Sequence, residues 1–87
     1  MEVQHKKLGR QNAWGQASEW LNLIELDERL VGKKHLEIAI HEIMHIQNPD
    51  WSETKVKKKS KEMTKVLWLL KYRRIDDREK QPSGTKA

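Results

Sequence analysis

The sequence predicts an α+β fold: a small antiparallel sheet of about three short strands, then a site-bearing helix and a second long helix. Two observations carry this. Over residues 1–30, apolar and polar side chains alternate in short runs broken by Gly, Asn and Asp, as strands and turns require. From Gly32 onward, apolar residues recur every three or four positions, the period of an α-helix.

Each element can be read in order. Val3, His5 and Lys7 alternate with Gln4, Lys6 and Leu8 as a first strand, and Gly9-Arg10-Gln11-Asn12 reads as its closing turn. Ala13–Ser18 forms a second short strand, in which Gly15 marks a bulge or a close backbone approach. Leu21–Leu26 is the strongest strand and ends at Asp27-Glu28-Arg29. Leu36, Ala39, Ile40, Ile43 and Ile46 define a helix over 33–47, which Asn48-Pro49-Asp50 ends with a left-handed Asn cap and a proline. In Asp50-Trp51-Ser52-Glu53, Asp50 takes the N-cap and Glu53 the N3 place of a capping box. Val56, Ser60, Met63, Leu67 and Leu70 carry the second helix over 51–71. The four tryptophans, Trp14, Trp20, Trp51 and Trp68, are expected to build the small core. The domain is expected over 1–72, with 73–87 a charged, disordered tail.

Composition narrows the function classes. With 87 residues there is room for one domain, and 36% charged residues against 36% hydrophobic leave a small core. A core of that size gains from a metal or a partner. Eighteen Lys and Arg against thirteen Asp and Glu give +5, which favours acidic partners. The absence of cysteine excludes disulfides, thiolate metal sites and a cysteine nucleophile, and fits a reducing compartment. The longest apolar run, Val66–Leu70, is far below the roughly 18–20 residues of a membrane span. Met1–Lys7 lacks the apolar stretch of a secretory signal, so the expectation is a cytoplasmic monomer without membrane contact.

One motif carries chemistry: His41-Glu42-Ile43-Met44-His45. On a helix, His41 and His45 stand one turn apart on the same face, where two imidazoles can occupy adjacent positions on one zinc ion. Glu42, rotated about 100° from His41, can flank the ion without binding it and take a proton from its water ligand. This is the HExxH arrangement. Drawing His and Glu at this chain's own frequencies gives roughly 0.02 expected matches, so chance is a poor account of it. A metal-free reading would make both histidines partly buried polar residues hydrogen-bonded to their surroundings. The third ligand is open from the residues alone. No histidine lies downstream of His45; Glu53 is the leading donor, Asp50 the next, then Glu62 or water.

Residues 24–30, Ile-Glu-Leu-Asp-Glu-Arg-Leu, followed by Leu36–His45, resemble the strand-plus-helix core of zincin metallopeptidases over roughly residues 20–72. The similarity is to small SprT-like and gluzincin-type domains, including compact peptidases encoded by phages, for which the cytoplasm would be the host's. That resemblance implies a zinc-dependent peptidase acting on a peptide or protein, with Glu42 catalytic. It implies His41, His45 and, from a later helix, Glu53 on the zinc. It also implies a substrate running along an edge strand just before the site-bearing helix, here Leu21–Leu26. The short step from His45 to Glu53 and the lack of a second lobe depart from the family pattern.

Supporting residues were read the same way. His35, Tyr72 and Arg73 are candidates to stabilise an oxyanion, each with a plainer role as a surface or partly buried side chain. Glu37 and Ser52 are candidates to orient a ligand, or else surface and capping groups. The run Lys55-Val56-Lys57-Lys58-Lys59-Ser60-Lys61 supports a second reading: a zinc-stabilised basic module docking nucleic acid or an acidic protein. Its contacts would be Lys55, Lys58 and Lys59. A lysine-rich outer face that keeps the helix soluble is the ordinary alternative.

Overall fold

In the computed structural model, residues 1–9 and 13–75 are described. Most of the expected turn at 9–12 and most of the expected tail at 73–87 therefore lie outside the described residues. The elements are β1 (Glu2–Lys6), β2 (Gly15–Ser18), β3 (Leu23–Asp27), α1 (Gly32–Gln47) and α2 (Glu53–Leu69). The α+β class and the element order are as the sequence predicts. No helix among the described residues is long and apolar enough to cross a membrane.

The sheet departs from expectation. It is mixed rather than antiparallel, in the order β1-β3-β2, with β3 antiparallel to β2 but parallel to β1. Alternation reports which face a side chain takes, not the direction of the neighbouring strand. A tight turn over 19–22 makes the β2–β3 hairpin; there Asn22 adopts φ 52°, a left-handed conformation that Asn tolerates. β1 and β2 thus pair with opposite sides of β3. Glu25 on the central strand fastens both edges, accepting from Gln16 Nε2 at 2.6 Å and Lys6 Nζ at 3.2 Å.

Ile24 and Leu26 share one face of β3 and are buried with Leu8 and Leu30. Beside them is a buried carboxylate, Asp27. It accepts hydrogen bonds from the backbone N–H groups of Leu8 (3.1 Å) and Arg29 (2.9 Å), and from Arg29 Nε (2.8 Å) and Nη2 (3.0 Å). Its own N–H donates to the carbonyl of Trp14 at 2.8 Å, so one residue ties the ends of all three strands together. Hydrogen bonds from the Arg29 side chain, then from its backbone, hold the Asp27 carboxyl well below the usual carboxylate range.

α1 is packed on two sides. Toward the sheet, Ile38 and Glu42 approach Gly15, where an added Cβ would lie 2.7 Å from Ile38 Cγ2 and 3.1 Å from Glu42 Oε2. Gly15 is thus the close backbone approach that the sequence suggested. Toward α2, Ile40 and Met44 bury against Val56, with Leu36, Trp51 and Leu67 packed around them. The helix starts at Gly32, whose φ of +61° favours glycine. Asn48 does not take the left-handed cap; its φ is −133°, and its N–H returns to Met44 O at 2.8 Å.

α2 begins later than expected. Its N-cap is Ser52, whose Oγ accepts from Lys55 N at 3.1 Å, so Asp50 is not the cap and Glu53 is the first helical residue. The buried row is Val56, Ser60 and Thr64, while Met63 and Leu70 of the expected stripe are exposed. The helix ends at Leu69 in a Schellman turn, Lys71 N–H to Trp68 O and Tyr72 N–H to Leu67 O, with Lys71 at φ 74°. Of the four tryptophans Trp51 packs against the core, and none is fully buried. Trp20 is 93% exposed, and Trp14, Trp51 and Trp68 each carry a cation on the ring, from Arg29, Lys55 and Arg73. Ring size argued for burial, but an indole covered by a long cationic side chain can sit at the surface.

Asp27→Asn should lower Tm by about 5–10 °C at pH 7, because it removes the charge that four donors converge upon. The folded carboxyl titrates below the unfolded one, so its contribution is whole above the unfolded pKa of about 4 and declines as pH falls further. Thermal melts should therefore show a constant gap between parent and variant from about pH 5 to 8, closing below about pH 4.

Candidate metal centre

Two local features bring the site together. His41 and His45 are one turn apart on α1, and their ring centroids lie 4.8 Å apart. The chain then reverses over 48–51, closed by Trp51 N–H to Asn48 O at 3.0 Å, and enters α2 beside the end of α1. Since Ser52 takes the capping role, the Glu53 carboxylate is left to reach back across the corner.

The result is a three-donor cluster. His41 Nε2 and His45 Nε2 are 3.2 Å apart; Glu53 Oε2 is 3.1 Å from the first and Glu53 Oε1 2.8 Å from the second. A tetrahedral ion with bonds near 2.0–2.1 Å sets its ligand atoms about 3.3 Å apart, so the triangle needs only a slight opening to admit one. Without an ion, the same atoms are satisfied only if both imidazoles carry their proton on Nε2 and donate it to Glu53. The group His41, His45 and Glu53 can therefore hold a metal ion. Both histidines are half-buried and Glu53 is exposed, which leaves the cluster open to solvent. Burial lowers the His41 pKa, opposed by the Glu53 charge, and the neutral imidazole is the form that binds metal.

Glu42 lies beside the ligands and not among them. It is 8% exposed, and among the described residues it has no hydrogen-bond or ion-pair partner. Burial raises its pKa; the charge of His45 opposes this and that of Glu53 adds to it, so it lies within electrostatic reach of both ligands. A buried carboxylate without a partner is costly to fold and is a common mark of a working site.

Other candidates fall elsewhere. Asp50 is exposed and outside the cluster, and Glu62 lies beside Lys59 at 3.9 Å. His35 is six residues, about 9 Å of helix rise, before His41. Its Nε2 lies 2.9 Å from His5 Nε2, with the two rings stacked. Tyr72 and Arg73 line a hollow with Gly32, His35 and Leu36, at the opposite end of the helix pair from Glu53. Glu37 has no hydrogen-bond partner among the described residues, and Ser52 is a cap. The residue that sequence reading passed over is Lys57, whose charge helps to depress the His41 pKa. Its position, four after Glu53 and so on the same face of α2, was the available signal.

No protein-family model matches the chain, nor does any curated protein or solved structure.

Because α2 rests chiefly on α1, an ion between His41, His45 and Glu53 would clamp the two helices. A saturating divalent ion should raise Tm by at least about 10 °C over chelated protein, as expected for a ligand far above its Kd. In hydrogen exchange, chelation should accelerate the α2 amides more than those of β3. Metal analysis should find one ion per chain, lost in His41→Ala and bound at least about tenfold more weakly in Glu53→Ala.

Proposed function

We propose that the chain is a zinc-dependent peptidase in which His41, His45 and Glu53 hold the metal and Glu42 is the catalytic base. The observation that carries this reading is the burial of an unpartnered Glu42 beside three converging ligands that remain open to solvent. Closed tetrahedral sites are structural, whereas three protein ligands with an open position characterise catalytic zinc. A bound zinc supplies a Lewis acid and a water activated near neutral pH. Glu42 takes the proton of the attacking water on its carboxylate and later delivers it to the leaving amine nitrogen. Burial suits Glu42 to both halves of that task, since a raised pKa eases uptake and return of the proton.

The path of the substrate differs from the one the resemblance implied. β3 is the central strand and has no free edge, so Leu21–Leu26 cannot receive a peptide as an added strand. The edge strand that faces α1 is β2, and Gly15 on it touches the neighbourhood of Glu42. A peptide laid along the outer side of β2 would pass the base. Lys57, whose charge acts on His41, takes the part of oxyanion partner in place of His35, Tyr72 and Arg73, which lie toward the other end of the helix pair.

A second reading is favoured by the dependence of α2 on α1: a metal whose work is to hold a lysine-rich helix in place for binding. Glu42 separates the two. Glu42→Gln should bind zinc as the parent does, melt at the same or a higher temperature, and lose about 10²–10⁴ in kcat on a quenched peptide library. In the parent, kcat/KM should fall as pH drops through the Glu42 pKa, which lies above the ordinary carboxylate value. Equal turnover by parent and Glu42→Gln would leave only the binding role.

A further inference from the structure

Beyond the metal cluster, an apolar groove of about 720 Å³ runs along α2. Its floor is Met44, Trp51, Met63 and Val66, and its rim is Lys55, Lys59 and Glu62. Met63 and Val66 are about half exposed, and Leu70, one turn beyond Val66, continues the stripe at 61%. Residues two apart on a helix are turned about 200° from each other, so the face with Lys55 and Lys59 points away from the one with Glu53 and Lys57. The groove is therefore separate from the metal cluster.

Three observations select its occupant. Residues 76–87, Asp-Asp-Arg-Glu-Lys-Gln-Pro-Ser-Gly-Thr-Lys-Ala, carry no large apolar side chain, so this part of the chain does not supply a cover. The rim itself holds two lysines, Lys55 and Lys59, against one glutamate, Glu62, so a second copy packed on the same face would leave a lysine of each copy without an acidic partner. A nucleic acid would leave the apolar floor unused, because phosphates and bases need donors along the groove and not only at its rim. An acidic, amphipathic helix meets both the floor and the rim.

We propose that this groove docks an acidic amphipathic helix of a partner protein. Its apolar stripe would seat on Met44, Met63 and Val66, and its carboxylates would meet Lys59 and draw Lys55 off the Trp51 ring, over which its ammonium lies at 4.6 Å. From Glu53 to Val66, α2 offers about 20 Å, matched by a helix of about 13–14 residues with apolar side chains at i, i+3, i+4 and i+7. Two methionines in the floor give it a surface that adapts to different side chains. Glu62, 3.9 Å from Lys59, partly neutralises the far end of the rim and sets the polarity of docking, with the partner's acids gathered toward Lys55.

The test uses the whole 87-residue chain, with and without added zinc, and fluorescent synthetic helices of about 16 residues with leucines in that pattern. One carries glutamate at the remaining positions, a second carries lysine there, and a third is a scramble of the first. Fluorescence anisotropy should show the acidic helix binding at least about tenfold tighter than the other two. The exposed pair Met63→Gln and Val66→Gln should weaken it about tenfold without changing Tm. Lys55→Glu with Lys59→Glu should invert the preference toward the lysine peptide. The proposal is overturned by no binding of the acidic helix up to about 1 mM, or by equal binding of the scramble. It is also overturned by tight binding of a 20-base-pair DNA duplex, included at about that length, that responds to the lysine reversals but not to Met63→Gln. Concentration-dependent dimerisation abolished by Val66→Gln would assign the groove to a second copy instead.

Discussion

α2 packs against α1 and, among the described residues, against no other element to a comparable extent. The strip where Ile40 and Met44 meet Val56 therefore carries everything that α2 contributes, including Glu53. Such a strip is thin. Ser60 and Thr64 continue it, and they spend their hydroxyls on backbone carbonyls of their own helix rather than adding apolar area. A ligand cluster that straddles the same two helices is mechanically sensible in this setting, because a cross-link is most effective where the hydrophobic seam is weakest.

α1 has to serve two neighbours at once, and the angular step of a helix makes that possible. Ile38 and Glu42 turn toward the sheet, Ile40 and Met44 toward α2, and His41 and His45 toward the corner where α2 begins. This distribution explains why apolar residues surround the motif on almost every side, a pattern that suits a helix buried on two faces. It also explains how adjacent residues His41 and Glu42 receive different environments. One is a half-buried donor facing an exposed carboxylate, and the other is a buried acid beside a glycine. Nothing in the packing needs a carboxyl at position 42, and folding would favour an apolar residue there.

The two buried carboxylates make an instructive contrast. Asp27 is fully partnered, its acidity increased by hydrogen bonds from Arg29 and Leu8, and it works as an internal tie between strand ends. Glu42 has no partner and its acidity is decreased by burial. The same functional group is made more acidic in one setting and less acidic in the other, and the difference lies in the donors around it.

The sequence by itself determined the helix period, the positions of both helices to within two residues, and the pairing of His41 with His45, because these depend on local spacing along one chain segment. It also singled out Glu53, which lies just past a turn marked by Pro49. The strand directions, the central place of β3 and the placement of β2 as the edge strand beside α1 were decided by tertiary structure. The placement of β1 and β2 on opposite sides of β3 is not encoded in any alternation pattern. Nor could local pattern separate Ser52 from Asp50 as the cap, since both precede the same run by plausible offsets. That choice matters, because a glutamate engaged in a capping box could not also face two imidazoles. Burial of Glu42 against Gly15 joins residues far apart in sequence, and only the packing of α1 on the sheet brings them together.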